Sequence, residues 1–332
     1  MIGRTGCRAL ACGLAALAVG LGTASFGAEA QAVSPRHIGF VLVGFTQQSR
    51  EAQAFRQGLQ DAGYIEGRDV VIEWRWANGD YAHVPKLASD LVSRKVDVIV
   101  VDSTVAARSA KQATSTIPIV MALVADPIGS GLVDNLARPG ANITGVSQMI
   151  PDLTAKQLQL LKEAIPSLKR VAAIWNPDTP FHTKAVEELK NAGRSLSLEL
   201  TFVPARTPED IGPAFAAAAR ARAQALYVVP DPQSQVRRKT VVAMALKAKL
   251  PTIYASKHAV DEGALMSYGA NLQDLFRKSA GYVDKIFRGA KPGNLPIEQP
   301  TQFELVVNLK TAKALGLSIP RSILQRANEV LQ

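Results

Sequence analysis

Short, almost uninterrupted apolar runs recur along this chain, and each is followed by a segment with helical spacing. "HIGFVLVG" (37–44), "DVVIEWRWA" (69–77), "VDVIVV" (96–101) and "IPIVMALV" (117–124) are rich in β-branched residues and too short for buried helices. Between them, "SREAQAFRQGLQDAG" places Ala54, Phe55, Leu59 and Ala62 on one face and stops at Gly63. "DYAHVPKLASDLVSRK" reads as a second helix with Asp80 as its N-cap, and "STVAARSAKQAT" as a third. Strands that are apolar on both faces and separated by helices imply a parallel sheet covered on both sides. Right-handed crossovers then leave few topologies.

The pattern repeats. "KRVAAIWNPD" (169–178) parallels the first strand and its loop, and a second helix is expected to stop at Ala192-Gly193 as the first stops at Ala62-Gly63. "LSLELTFVPA", "AQALYVVPD" and "LPTIYASKHAV" follow in the same order as their counterparts. The expected fold class is therefore α/β, with two doubly wound parallel-sheet lobes. Crossovers fit at Pro151-Asp152, at Tyr268-Gly269 before a helix near Asn271, and in the ribbon "KPGNLPIEQP" (291–300). The first lobe is expected to take residues 36–148 plus about 270–298, and the second 149–269 plus about 299–332. Such a multi-crossover joint is a hinge.

Residues 1–30 read as a signal peptide: basic Arg4 and Arg8, the apolar run "ALACGLAALAVGLG", then small residues ending in Ala28-Glu29-Ala30 or Ala30-Gln31-Ala32. An exported, periplasmic protein follows. Both cysteines, Cys7 and Cys12, fall in that peptide, so the remainder has neither disulfide nor thiol chemistry. The net charge is +10, but the basic residues are scattered and lack an aromatic platform, which argues against nucleic acid as a partner. His37, His83, His182 and His258 show no metal spacing, and no nucleophile elbow, P-loop or dinucleotide fingerprint is present. No catalytic residue, metal or cofactor is expected.

In open α/β sheets ligands bind beyond the carboxyl ends of the strands. The strand ends supply Phe45 and Thr46, then Ser103 and Thr104 opening a helix, then Asp126 before Pro127. The second half supplies Asn176, Asp231, Ser256 and Tyr268. Helix starts at Ser103-Thr104 and near Asn176 suit a carboxylate. Asp126 and Asp231 suit an ammonium. Phe45 and Tyr268 are placed to cover an apolar tail.

Two stretches, "AKQATSTIPIVMALVADPIGSGLVDNLARPGANITGVS" and "FELVVNLKTAKALGLSIPRSILQRANEVL", carry a resemblance to the ABC-transporter substrate-binding protein family that includes tryptophan- and tyrosine-uptake receptors. It extends over roughly Arg36–Leu331. The resemblance implies the type I periplasmic binding-protein fold and delivery of a small solute to an inner-membrane permease with no reaction catalysed; a monomer is expected. It also implies ligand contact by Phe45, Thr46, Ser103, Thr104, Asp126, Asn176, Asp231 and Ser256. The first loop, "GFTQQSRE", departs from the family's proline-containing form, which leaves the solute open. A solute sensor for a membrane kinase and an exported hydrolase are the alternatives.

Overall fold

The computed structural model describes residues 34–332; the expected signal peptide, with Cys7 and Cys12, lies outside the described residues. The first half builds β1 (Arg36–Leu42), α1 (Arg50–Asp61), β2 (Val70–Trp76), α2 (Val84–Ser93), β3 (Val98–Val101), α3 (Thr104–Ala113), β4 (Ile119–Val124) and β5 (Ile143–Ser147). Its five strands pair in parallel in the order β2-β1-β3-β4-β5. β3 and β4 are buried along their whole length, as their unbroken apolar sequences require. Alternation sorts their neighbours: Phe40 faces a cluster with Phe55, Trp74 and Phe276, and Val41 faces one with Ile99, Ala106 and Met121. Phe40 stacks on Trp74 with ring centroids 5.0 to 5.8 Å from its aromatic neighbours Phe55, Trp74 and Phe276. Alanines on α3 bring that helix close to the sheet.

The chain then forms α4 (Ile150–Ala164), β6 (Arg170–Trp175), α5 (His182–Ser195), β7 (Glu199–Pro204), α6 (Ile211–Arg220), β8 (Ala225–Val228), α7 (Pro232–Lys247), β9 (Thr252–Tyr254), α8 (Lys257–Asp261) and β10 (Met266–Gly269). It crosses back as α9 (Leu272–Phe287), which packs on α1 and carries Leu275, Phe276 and Ala280 into the first core. It returns as β11 (Glu304–Asn308), α10 (Leu309–Ala314), α11 (Arg321–Leu324) and β12 (Glu329–Leu331). The second sheet has seven strands in the order β12-β11-β10-β9-β8-β6-β7.

This sheet is mixed where a parallel one was expected. β11 runs antiparallel to β10 and parallel to β12. The cause is the route of the chain: β10 leaves at Gly269 toward the other lobe, and the returning ribbon comes back at the same edge, with Glu304 opposite Gly269. Two helix ends also differ from expectation. α2 begins at Val84 rather than beside Asp80, because Pro85, lacking an N–H, is tolerated in a first turn; Asp80 instead accepts a bond from the Ala82 amide at 3.0 Å. α5 continues past Gly193 to Ser195. Gly193 is there for space, since a Cβ would meet Leu200 Cδ1 at 2.8 Å, and the chain turns at Ser197, which adopts φ 53°.

Candidate functional site

The carboxyl ends of β1, β3 and β4 face those of β8 and β9 across one cleft of about 730 Å³, part of it open to solvent. Most of its lining is apolar: Phe45, Leu123 and Ala125 from the first lobe, Phe181, Pro230 and Pro232 from the second, with Ile150 and Leu272 at the crossovers. Among the described residues no lysine, arginine or histidine lines it.

Five of the nine residues expected from the strand ends line this cleft: Phe45, Ser103, Thr104, Asp231 and Ser256. Phe45 is held edge-on by Phe276 at 5.6 Å and His258 at 6.2 Å. Ser103 is the N-cap of α3 and accepts the Ala106 amide at 3.2 Å. Thr104 is buried, and its hydroxyl accepts the Ala125 amide at 3.3 Å, tying β4 to α3. Ser256 caps α8 through the His258 amide.

Asp231 is also in the cleft, but its carboxylate is taken. Oδ1 caps α7 by accepting the Ser234 amide at 2.6 Å. Oδ2 accepts the Thr179 hydroxyl at 3.0 Å and the Tyr81 hydroxyl at 2.9 Å. Tyr81 comes from the first lobe, and burial, followed by the Asp231 charge, pushes its pKa well above the ordinary value. His182 below this group is buried; its Nδ1 lies 3.0 Å from the Asn176 amide and its Nε2 3.2 Å from the Pro230 carbonyl. Desolvation lowers its pKa, so the ring is neutral, with Nε2–H donating and Nδ1 accepting.

The other four residues lie elsewhere. Thr46 is exposed and lines a neighbouring vestibule with Arg238 and His258. Asp126 accepts the Gly129 amide at 2.9 Å and pairs with Lys184 of the second lobe at 2.9 Å, so its carboxylate is occupied. Asn176 is buried behind the cleft, where Nδ2 donates to Gln233 at 2.9 Å and Oδ1 accepts the Asp178 amide at 3.0 Å. Tyr268 packs on Phe303 at the crossover, ring centroids 5.9 Å apart.

Among the cleft residues not read from the sequence are two polar ones at strand ends, Asp102 and Tyr254. Asp102, at the end of β3, is 4% exposed and lines the cleft. Its Oδ2 accepts the Val43 amide at 2.8 Å and the Gly44 amide at 3.0 Å, while Oδ1 is buried without a hydrogen-bond partner. Burial raises its pKa to about 6, against the pull of those two amides. Tyr254, at the end of β9, likewise lines the cleft with a buried, unpartnered hydroxyl. The signal for Asp102 is an acid at the end of a buried strand, in "VVDST", directly before the helix cap Ser103.

The lobes also touch each other directly. Besides Tyr81–Asp231 and Asp126–Lys184, Gln233 Nε2 donates to the Gly79 carbonyl at 3.1 Å, and His258 lies 2.8 Å from Glu51. Burial of this last pair raises the Glu51 pKa and lowers that of His258 to about 4.

Residues 41–331 match the family described as "ABC transporter substrate binding protein". The chain belongs to that family. A tyrosine-binding protein of Clostridioides difficile is 28% identical over 276 residues, spanning 83% of this chain and 79% of that protein. A solved Streptococcus pneumonia ABC domain in complex with L-Trp is 28% identical, with a TM-score of 0.83 over 90% of this chain and 100% of that one. The ligand-free, open structure of a Clostridium difficile substrate binding protein with adhesive properties is 27% identical, with a TM-score of 0.65 over 90% of this chain and 99% of that one. At nearly equal identity, the substrate-binding protein described here is closer in shape to the liganded relative than to the open one. Its fold is that of type I periplasmic binding proteins, and its relatives are binding proteins rather than enzymes. Members of this family bind small solutes and work with ABC permeases. Among the described residues no helix is long and apolar enough to cross a membrane.

Proposed function

We propose that this substrate-binding protein is an exported, periplasmic monomer that captures an amino acid with an apolar or aromatic side chain, shuts over it and hands it to an inner-membrane permease without chemical change. The observation that carries the reading is an interlobe cleft that is apolar along its walls, lacks cationic side chains and has the amino end of α3 at its floor. Relatives named for tyrosine and found with L-Trp support the same class of solute. The first lobe would comprise residues 36–148 and 270–298, the second 149–269 and 299–332, with the three crossovers as the hinge.

Two helices start in the cleft, and they are not equivalent. The positive end of α7 is already neutralised by its own cap, Asp231. That of α3 is capped by an uncharged serine, so its free amides are the better seat for the solute's carboxylate. Phe45 and Phe181 would flank the side chain. The solute favours the shut form only by its greater affinity for it.

Thermal-shift screening of protein that has been unfolded and refolded to remove carried solute tests this. An amino acid at a hundredfold excess over its Kd should stabilise by about 2.7 kcal/mol. No shift across the twenty amino acids would reject the reading.

A further inference from the structure

Given an amino acid as the solute, one charge remains to be placed: its ammonium group. Two carboxylates line the cleft, Asp102 and Asp231, and Asp126 follows the lining residue Ala125; of these three, Asp126 and Asp231 are committed. Asp126 is held by Lys184 and the Gly129 amide, and does not line the cleft. Asp231 is saturated by the Ser234 amide and the hydroxyls of Thr179 and Tyr81. Asp102 differs. The Val43 and Gly44 amides fix Oδ2 and so orient the group, while Oδ1 is buried without a hydrogen-bond partner, with the Ser103 hydroxyl the side-chain donor near the carboxylate. Leaving such an oxygen unpaired is costly, and no cationic side chain lines the cleft to relieve it.

We propose that Asp102 is the anion that receives the solute's ammonium, through Oδ1, and that it makes the cleft select α-amino acids over the same carboxylic acids without the amine. The placement fits the chemistry of one ligand class. Asp102 immediately precedes Ser103, the cap of the helix whose amides suit a carboxylate. An acceptor of ammonium and a donor set for carboxylate thus stand side by side, as the two charged groups of an α-amino acid do. A carboxylic acid lacking the amine would instead bring a second negative charge beside Asp102, which is repulsive in a water-poor site.

The inference rests on the amino-acid reading, and calorimetry on refolded protein separates the two. The probes are L-Trp, L-Tyr, L-Phe and L-Leu, together with indole-3-propionate, 3-(4-hydroxyphenyl)propionate, 3-phenylpropionate and 4-methylpentanoate. The wild-type protein should prefer the amino acid of the best-bound pair by more than about a hundredfold, because an unmet buried charge penalises the analogue. Asp102→Asn keeps an acceptor for the two amides and removes the charge. It should weaken the amino acid by more than about tenfold and leave its amine-free partner unweakened. Equal affinity of the paired ligands for wild-type protein, or unchanged amino-acid affinity in Asp102→Asn, overturns the role of Asp102 and leaves the receptor reading intact. Failure of all eight probes, together with no thermal shift from any of the twenty amino acids, overturns both. If the variant does not fold, the paired ligands decide on wild-type protein alone.

Discussion

The two lobes end their third strands in opposite ways. In the first, β3 delivers Asp102 one residue before the cap of α3, with one oxygen bonded to backbone and the other left alone. In the second, β8 runs on through Val229 and Pro230 to Asp231, which is itself the cap of α7 and has every oxygen engaged. The repeat thus supplies two carboxylates at matching places and gives them unlike duties. One ties the lobes together, and the other stays charged and unmatched at the cleft floor. A small difference decides it: whether the acid or the residue after it becomes the cap.

The sharpest way to break this comparison is to remove each acid and measure the stability of solute-free protein. Asp231→Ala should cost about 3 kcal/mol or more in urea unfolding, since it deletes a helix cap and strands the buried hydroxyls of Tyr81 and Thr179. Asp102→Asn should do the reverse at pH 7. The folded-state pKa of Asp102 is raised from 3.8 to about 6, so the ionised form is disfavoured by folding. Its favourable contribution is complete below about pH 4 and is lost as pH rises through about 6. Removing the charge should therefore stabilise by up to about 3 kcal/mol at neutral pH, and the gain should vanish near pH 4. Destabilisation by both variants would mean that the two acids play one role.

A third test concerns the bond between the lobes. Tyr81→Phe removes one donor from Asp231 and should lower stability by about 1 kcal/mol, while small-angle scattering shows the empty protein spending more time extended. Unchanged scattering would separate Asp231 from any part in closure. The smallest effect belongs to the rim. Lys184→Ala breaks a pair whose lysine is half exposed and should cost less than about 0.5 kcal/mol. Asp126→Ala should change amino-acid affinity by less than about threefold; a loss beyond tenfold would return the ammonium to Asp126.

The strands were legible because β3, β4 and β8 are buried on both faces, and only unbroken apolar runs meet that demand. Helix starts at Ser103 and near Asn271 were legible, whereas Asp231, read as a ligand group, proves to be the cap of α7. The antiparallel β11 was hidden, since strand direction depends on the route through another lobe. Gly193 shows the same limit: a glycine read as a stop serves close packing. The carboxylates were hardest to rank. Whether an acid is available depends on partners far along the chain: Tyr81 is 150 residues from Asp231, and Lys184 is 58 from Asp126. Asp102 was passed over because Ser103 and Thr104 explained the local pattern without it.

The interlobe contacts have one more consequence. Tyr81, Asp231, Gly79 and Gln233 join the lobes through groups of the protein itself, and bonds of that kind favour a clamped receptor whether or not it is loaded. The lone carboxylate on the floor works as a counterweight: clamping without cargo strips water from a charge that nothing then answers. Arrival of a cationic group lifts that penalty, and the molecule can report a full hand rather than merely a closed one.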